Sequence, residues 1–213
     1  MQNSQAYIEF IKQINAIGRE KMDGYDPQTL ENIYDWEKEE VEDTIWNKFV
    51  KENDSDLAIF LPKLTKYNGI EALKSKLDKF VVPSVASFNI AETLYVATNE
   101  NKYLRLIIKN YNTTSDKATK VSYVSHLSRL AKKQEVYDKL IDIYINDNES
   151  VNQSTAIQGI LWADGYLRNM DDVDELIKNI QLLRMFKKDC REDRGVIIAD
   201  YLNGKYESYK IWK

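Results

Sequence analysis

Few side chains in this sequence are of the types that catalyse reactions, and no motif groups them. His126 is the single histidine and Cys190 the single cysteine, so one chain cannot build a Cys/His zinc site or a multi-histidine metal centre. His126 directly precedes Leu127 in an apolar helical pattern, and the sequence marks out no nucleophile for it to activate. We therefore interpret His126 as a structural or surface histidine.

Sequence motifs for nucleotide binding and hydrolysis are absent as well. The chain has no G-x-x-x-x-G-K-[ST] loop, no G-x-G-x-x-G fingerprint and no G-x-S-x-G elbow. The adjacent acids Asp171-Asp172 and Glu39-Glu40 would point in different directions on a helix, which suits helix caps and solvated charge better than a catalytic pair. The sequence thus predicts no catalytic residue, no cofactor and no metal.

The stretch from Tyr34 to Trp46 is the strongest candidate for a function. At about 100° per residue, four of its side chains fall in one narrow stripe on a helix. These are Asp35, Glu39, Glu42 and Trp46. The apolar residues Leu30, Tyr34, Val41, Ile45 and Phe49 fall on another side, which predicts that they face the core.

Two interpretations fit this stripe. It is either a charged outer face with Trp46 packed against a neighbouring helix, or a patch that binds a basic partner. In the second case the tryptophan supplies a hot spot and the carboxylates accelerate encounter, so that binding weakens in salt. Trp162, Asp164 and Tyr166 repeat the combination of aromatic and acidic residues further along the chain, and we count them with the candidate binding residues.

Tyrosine is abundant, with 14 residues. Several, including Tyr103, Tyr137 and Tyr144, recur at related positions. We expect most of them at the edge of the core, with their hydroxyls reaching water. The alternative is a ligand groove lined by these rings.

Composition restricts the partner and the compartment. The formal net charge is −4 and the sequence pI is about 5.3, which argues against non-specific nucleic-acid binding and favours a basic protein partner. One cysteine is typical of a reducing compartment. The N-terminus lacks a signal-peptide pattern, and no apolar run approaches the roughly 20 residues of a membrane span. We expect a cytoplasmic protein.

A repeat predicts how the chain is built. Tyr103, Leu106, Ile107 and Tyr111 recur 34 positions later as Tyr137, Leu140, Ile141 and Ile145. The period continues backwards by 33 positions, to residues such as Ile70 and Leu73, and forwards by 36 positions, to Val173, Leu176, Ile177 and Ile180. Such a period with helical internal spacing indicates stacked helix pairs that bury one another's apolar faces.

Local signals divide the chain into about ten helices. We expect a first helix within residues 2–22 that ends near Gly24, and a second that starts at Asp26-Pro27 and runs to Asn53. Further signals are Asp56 as an N-cap, Pro62 as a bend, Asn68-Gly69 as a turn, Asn99 as an N-cap, Asn112 to Asp116 and Asn146 to Ser150 as polar turns, Gly165 as a stop and Asp171-Asp172 as a cap. The last helix spans Glu192 to Leu202 and stops at Asn203-Gly204, where a hairpin is the alternative. The tail, with Tyr206, Tyr209, Ile211 and Trp212, is apolar enough to pack back or to bind a partner.

Between Asp56 and Lys188 this pattern resembles HEAT-like α-helical repeat proteins, although the consensus proline and the Asp/Arg ladder of typical HEAT repeats are missing. The resemblance implies an all-α fold, a short right-handed α-solenoid of stacked antiparallel helix pairs. Residues 1–213 would form one domain, with 1–53 as N-terminal capping helices and 189–213 as a C-terminal cap and tail. The small, acidic chain is also similar to the helical-repeat immunity proteins that bacteria keep beside polymorphic toxins.

The predicted function is therefore non-enzymatic protein binding, with occlusion of a cognate bacterial toxin as its specific form. Two alternatives stay open. A helical-repeat enzyme such as a DNA glycosylase would need a basic groove and a carboxylate among aromatic residues. A regulatory scaffold would bind a peptide or small ligand along its inner helices.

Overall fold

The computed structural model describes residues 2–17, 25, 27–169 and 172–210, and within these ranges the chain is all-helical, without a strand. Ten helical segments of the described part are nine residues or longer. The predicted all-α class is confirmed. Gly24, Asp26, Asp171, Ile211 and Trp212, which carried sequence predictions, lie outside the described residues.

Contacts divide the chain into two compact units, Met1–Lys109 and Asn110–Lys213, and the assignment of residues 1–213 to a single domain stays a prediction. The first unit holds α1 (Gln5–Ile14), a 3-10 helix Pro27–Asn32, α2 (Asp35–Lys51), a 3-10 helix Ser55–Lys63, α3 (Gly69–Leu77), α4 (Val85–Thr98) and most of α5 (Asn101–Thr113). The second unit holds α6 (Lys117–Arg129), α7 (Gln134–Asn146), α8 (Ser150–Ala163), α9 (Val173–Lys178), α10 (Ile180–Met185), α11 (Arg191–Leu202) and a 3-10 helix Glu207–Tyr209.

The core of the first unit is organised around the 3-10 helix Ser55–Lys63, which packs against α2, α3 and α4. It buries Leu57, Phe60 and Leu61 completely. An α-helix was expected here, and the segment is instead a 3-10 helix in which Pro62, without an N–H to donate, is the penultimate residue. Its cap is Asp54, whose carboxylate accepts the N–H of Asp56 at 3.3 Å, so the prediction of Asp56 as the cap was wrong by two residues.

Other boundaries in the first unit also differ from expectation. Helix α1 ends at Ile14, well before residue 22. The long second helix is replaced by the 3-10 helix Pro27–Asn32 and α2. Asn99, predicted to begin a helix, instead ends α4 in the left-handed conformation with φ of 54°, which asparagine tolerates better than most residues.

In the second unit, α8 packs against both α6 and α7, and α11 packs against α7. Helices α6 and α8 approach closely where Gly159 lies on Ser128. A Cβ atom at residue 159 would lie 2.7 Å from Ser128 Cβ and 2.8 Å from its Cα. The Ser128 hydroxyl lies at the same contact, where its single proton is shared between the carbonyls of Val124 at 2.8 Å and Thr155 at 3.0 Å.

The forward copy of the repeat does not bury its apolar residues as predicted. Val173 is 67% exposed, Ile177 60% and Ile180 41%. Asn179 interrupts the helix here, and its side-chain amide donates to the carbonyl of Glu175 at 3.0 Å, which competes with the helical hydrogen bonds. The two six-residue helices on either side therefore leave this apolar stripe open.

Several C-terminal predictions are confirmed. Asp172 caps α9 by accepting the N–H of Asp174 at 2.9 Å, and Gly204, with φ of 82°, follows the end of α11. Tyr206 is only 7% exposed and packs on Phe186, with ring centroids 6.0 Å apart. None of the helices in the described ranges is both long and apolar enough to cross a membrane.

Two buried carboxylates on α2 attach other segments to it. Glu37 accepts the N–H and hydroxyl of Ser4, at 2.7 and 2.6 Å, and the N–H of Tyr34 at 2.8 Å. Glu42 accepts the N–H groups of Thr65 and Lys66, at 3.0 and 2.7 Å, and the hydroxyl of Thr65 at 2.7 Å. Burial by itself would raise both pKa values, but these donors outweigh it and hold the pKa of each carboxyl below its usual value of 4.5.

We predict that Glu42→Gln lowers the free energy of unfolding by about 2 kcal/mol at pH 7, because it removes charged acceptors from two backbone N–H groups. A depressed carboxyl pKa contributes stability above the unfolded pKa, and this stability is lost as the pH falls through the folded value. Urea unfolding at a series of pH values between about 3 and 7 should thus show a smaller acid-induced loss for the variant than for the wild type.

The control is Glu39→Gln, on the same helix, whose side chain is 78% exposed and pairs with Lys66 at 2.8 Å. It should change the unfolding free energy by no more than about 0.5 kcal/mol. Equal effects of the two variants at pH 7 would contradict the anchoring role of Glu42.

We predict that Gly159→Ala destabilises the protein by about 2 kcal/mol, because the new methyl group pushes α8 away from Ser128. Gly195→Ala is the matched control, since Gly195 lies within α11 and a Cβ there meets no atom within 4 Å. This control should stabilise by roughly 0.5 to 1 kcal/mol through helix propensity. Thermal and urea unfolding of both variants measure the difference, and a shift of the same sign in both would rule out the close contact as its cause.

Candidate functional site

The first candidate site is the outer side of α2, where the stripe of Asp35, Glu39, Glu42 and Trp46 was predicted. Asp35 is the most exposed member, with 95% of its side chain accessible and an ion pair to Lys38 at 2.6 Å. Glu39 is also exposed and pairs with Lys66. These two carboxylates lie on the surface, as the stripe predicts.

Glu42 and Trp46 are engaged within the unit. Only 9% of Glu42 is accessible, and both of its oxygens accept hydrogen bonds from Thr65 and Lys66. Trp46 is half-buried and stacks on Tyr67, with ring centroids 4.4 Å apart and planes 6° from parallel. The segment that precedes α3 therefore covers this part of the stripe.

A different aromatic pair is exposed on α2. Tyr34 is 51% exposed and Trp36 49%, and their ring centroids lie 6.0 Å apart. Tyr34 was expected on the core side, together with Val41 and Ile45, which are indeed buried. Tyr34 is exposed because it is the N-cap of α2 and has an extended backbone, with φ of −73° and ψ of 152°. The angle calculated for a helical residue therefore does not apply to its side chain.

Trp36 stands in the middle of an acidic helix face. Glu39, Glu40 and Asp43 follow it at i+3, i+4 and i+7, within about 60° of its direction around the helix. We call Tyr34, Trp36, Glu39, Glu40 and Asp43 the acidic aromatic face. Anchoring the helical angles on Trp36 instead of Asp35 would have found this face from the sequence.

The acidic aromatic face carries three carboxylates, those of Glu39, Glu40 and Asp43, and lies in an acidic segment. Residues 34–43 carry six carboxylates and one lysine, a formal charge of −5. Two of the carboxylates, those of Glu39 and Asp43, hold the ammonium of Lys66, each at 2.8 Å. Hydrogen bonds to Asp43 and Glu39 raise the pKa of Lys66, and the bond from Lys66 lowers that of Asp43, so this clamp stays charged at neutral pH. The hydroxyl of Tyr7 donates to the remaining acid of the face, Glu40, at 2.8 Å.

The second candidate group, Trp162, Asp164 and Tyr166, is used mainly for packing in the second unit. Asp164 Oδ2 accepts the hydroxyls of Tyr137 at 2.7 Å and Tyr201 at 2.6 Å, which joins the end of α8 to α7 and α11. Tyr166 is 5% exposed and packs on Tyr201 at a centroid distance of 5.4 Å. Trp162 is half-buried, with the ammonium of Lys132 4.5 Å from its ring centroid.

The chemistry open to the Asp164 cluster is limited. A cavity of about 220 Å³ beside it is lined by Lys132, Tyr137 and Asp164, among others. The pKa values of both Tyr137 and Tyr201 are raised well above the usual 10.0. Burial is the largest cause, and the hydrogen bond to Asp164 is the second. These phenols are hydrogen-bond donors at physiological pH and cannot act there as bases.

The single histidine and cysteine lie apart from both groups. His126 is half-buried on α6. Cys190 is exposed, and its sulfur accepts the N–H of Asp193 at 3.4 Å as the N-cap of α11. Among the described residues, no three His, Cys, Asp or Glu side chains are grouped so as to hold a metal ion.

Comparison of the chain with protein families, with curated proteins and with solved structures finds no match.

Proposed function

We propose that this chain is a non-enzymatic binding protein whose acidic aromatic face docks on a cationic surface of another protein. The observation that carries the proposal is Trp36, a large ring that is half exposed on the same helix face as Glu39 and Glu40. Tryptophan is among the residues most enriched at binding hot spots, where burial of its ring supplies much of the affinity.

The charge around Trp36 suits a basic partner. The face carries the carboxylates of Glu39, Glu40 and Asp43, against the single ammonium of Lys66 that pairs with two of them. A concentrated field of one sign accelerates the encounter with a surface of the opposite sign and suppresses wrong partners. Affinity from such a contact falls as salt screens the charges.

Lys66 provides an internal example of the recognition that we propose. Its ammonium lies between Glu39 and Asp43 of the face. Glu40, one residue further around the helix, is exposed and accepts only a tyrosine hydroxyl among the described residues. A lysine or arginine of the partner would pair with Glu40 while an apolar or cationic group covers Trp36.

The proposed contact does not include Glu42 or Trp46. The carboxylate of Glu42 accepts the N–H of Lys66, and the ring of Trp46 stacks on Tyr67. The proposed function retains toxin neutralisation in the bacterial cytoplasm as the specific form, in which the face occludes the cationic surface that a toxin uses on nucleic acid. It also retains the HEAT-like right-handed solenoid, which rests on the repeat of the sequence.

The test is co-purification with the product of the adjacent gene, followed by titration of the two purified proteins at low and at high salt. We expect Trp36→Ala to weaken binding by about thirtyfold, the effect of losing a hot-spot tryptophan. Glu39→Gln combined with Glu40→Gln should reduce the association rate and flatten the salt dependence, because it removes steering charge.

Glu71→Gln is the control, since Glu71 is an exposed acid of the same unit that pairs only locally with Lys74. It should bind like the wild type. The proposal fails if the two proteins do not associate, or if the Trp36 and Glu39/Glu40 variants bind as tightly as the control does.

A further inference from the structure

The second unit contains a groove that is distinct from the acidic aromatic face. It lies between α8 and α10 and encloses about 430 Å³, which is within the usual range of ligand sites. Its apolar part includes the buried rings of Tyr144 and Phe186 and the side chain of Ile157. Hydroxyl and amide groups line the α8 side, namely those of Ser150, Gln153, Ser154 and Gln158.

The open apolar stripe of α9 and α10 leads into this groove. Val173, Ile177 and Ile180 are spaced i, i+4 and i+7 and are all exposed, and Ile180 also lines the groove. Ile180 lies beyond the break at Asn179, so the exposed apolar residues of α9 and α10 continue the apolar surface of the groove on two short helices. An apolar surface that continues beyond the groove suits a chain segment better than a small molecule.

The charge of this region is opposite to that of the chain as a whole. Residues 176–188 contain four cations and no carboxylate, within a chain of net charge −4. Two of the cations, Arg184 and Lys187, line the groove and are exposed. Neither forms an ion pair with any residue that the structure describes. Their charge is thus available to an incoming group.

We propose that this groove binds an acidic amphipathic helix of a partner protein. Apolar residues of that helix, spaced i, i+3, i+4 and i+7, would cover Ile177, Ile180 and the groove floor, as in other helix-in-groove complexes. Glutamates or aspartates beside them would pair with Arg184 and Lys187. The site lies in the other unit and has the opposite sign, so it does not depend on the proposed function above.

The test uses two labelled peptides of about 18 residues, long enough for several helical turns. Both carry leucines at i, i+3, i+4 and i+7, and the flanking positions are all glutamate in one and all lysine in the other. In fluorescence anisotropy with the full chain at low salt, we expect the glutamate peptide to bind at least about tenfold more tightly.

Two variants localise the binding. Arg184→Gln combined with Lys187→Gln, and separately Ile177→Ser combined with Ile180→Ser, should each weaken the glutamate peptide by about tenfold. Lys205→Gln and Val196→Ser are the matched controls, since Lys205 pairs with Asp200 and Val196 is 63% exposed on α11, outside the groove lining. The controls and Trp36→Ala should bind the peptide like the wild type, and circular dichroism verifies that all variants are folded.

Four results would overturn the proposal. The first three are equal binding of the two peptides, undiminished binding by the Arg184/Lys187 variant, and no detectable binding of the glutamate peptide. A fourth is self-association in sedimentation that Ile177→Ser abolishes, because the stripe would then belong to an interface between copies of this chain.

Discussion

Tyrosine hydroxyls that leave bulk water impose a constraint that both units meet in the same way, by donating to a carboxylate. A phenol that leaves water without a hydrogen-bond partner destabilises the fold, and a carboxylate is the strongest acceptor that a side chain can offer. Among the described residues, the part-buried pairs are Tyr25 with Asp54, Tyr67 with Asp43, Tyr111 with Asp147, and both Tyr137 and Tyr201 with Asp164, and Tyr7 pairs with Glu40 at the surface. Most of these pairs join elements far apart in sequence, so tyrosine and acid together determine how the helices meet.

This constraint changes the meaning of the acidic composition. Carboxylates such as Asp164 accept hydrogen bonds inside a unit and contribute little to its outer field, and Glu37 and Glu42 do the same for backbone N–H groups. Two short segments with exposed charge differ in sign. Residues 34–43 expose the carboxylates of Asp35, Glu39 and Glu40, whereas residues 176–188 carry only cations. A net charge of −4 thus conceals two surfaces of opposite sign.

Features that depend on a few neighbouring residues could be predicted from the sequence, whereas those that depend on distant segments could not. Asp116 caps α6, and Gly204 follows the last helix as expected, because caps and left-handed stops are local. Glu42 was placed on the outer face, since the helical angles carry no information about the segment at residues 65 and 66 that folds over it. The exposure of Val173 and Ile177 was missed for a similar reason. The repeat predicts that a neighbouring helix covers them, but the helix is broken at Asn179 and the two side chains stay exposed. At the candidate site the acidic character of α2 was predictable, whereas the exposed ring of Trp36 was not singled out and the stacking of Trp46 on Tyr67 depends on a distant segment.

The shared acceptor at Asp164 also has a consequence for how this sequence can evolve. Replacing Asp164 first would remove, in a single step, the hydrogen-bond acceptor of two phenols, one on α7 and one on α11. Replacing Tyr137 or Tyr201 by phenylalanine first would leave a half-exposed carboxylate that still has one donor. Lineages that lose this cluster are therefore expected to change their tyrosines before the aspartate, so the order of substitution, and not only the set of residues, is constrained by one oxygen atom.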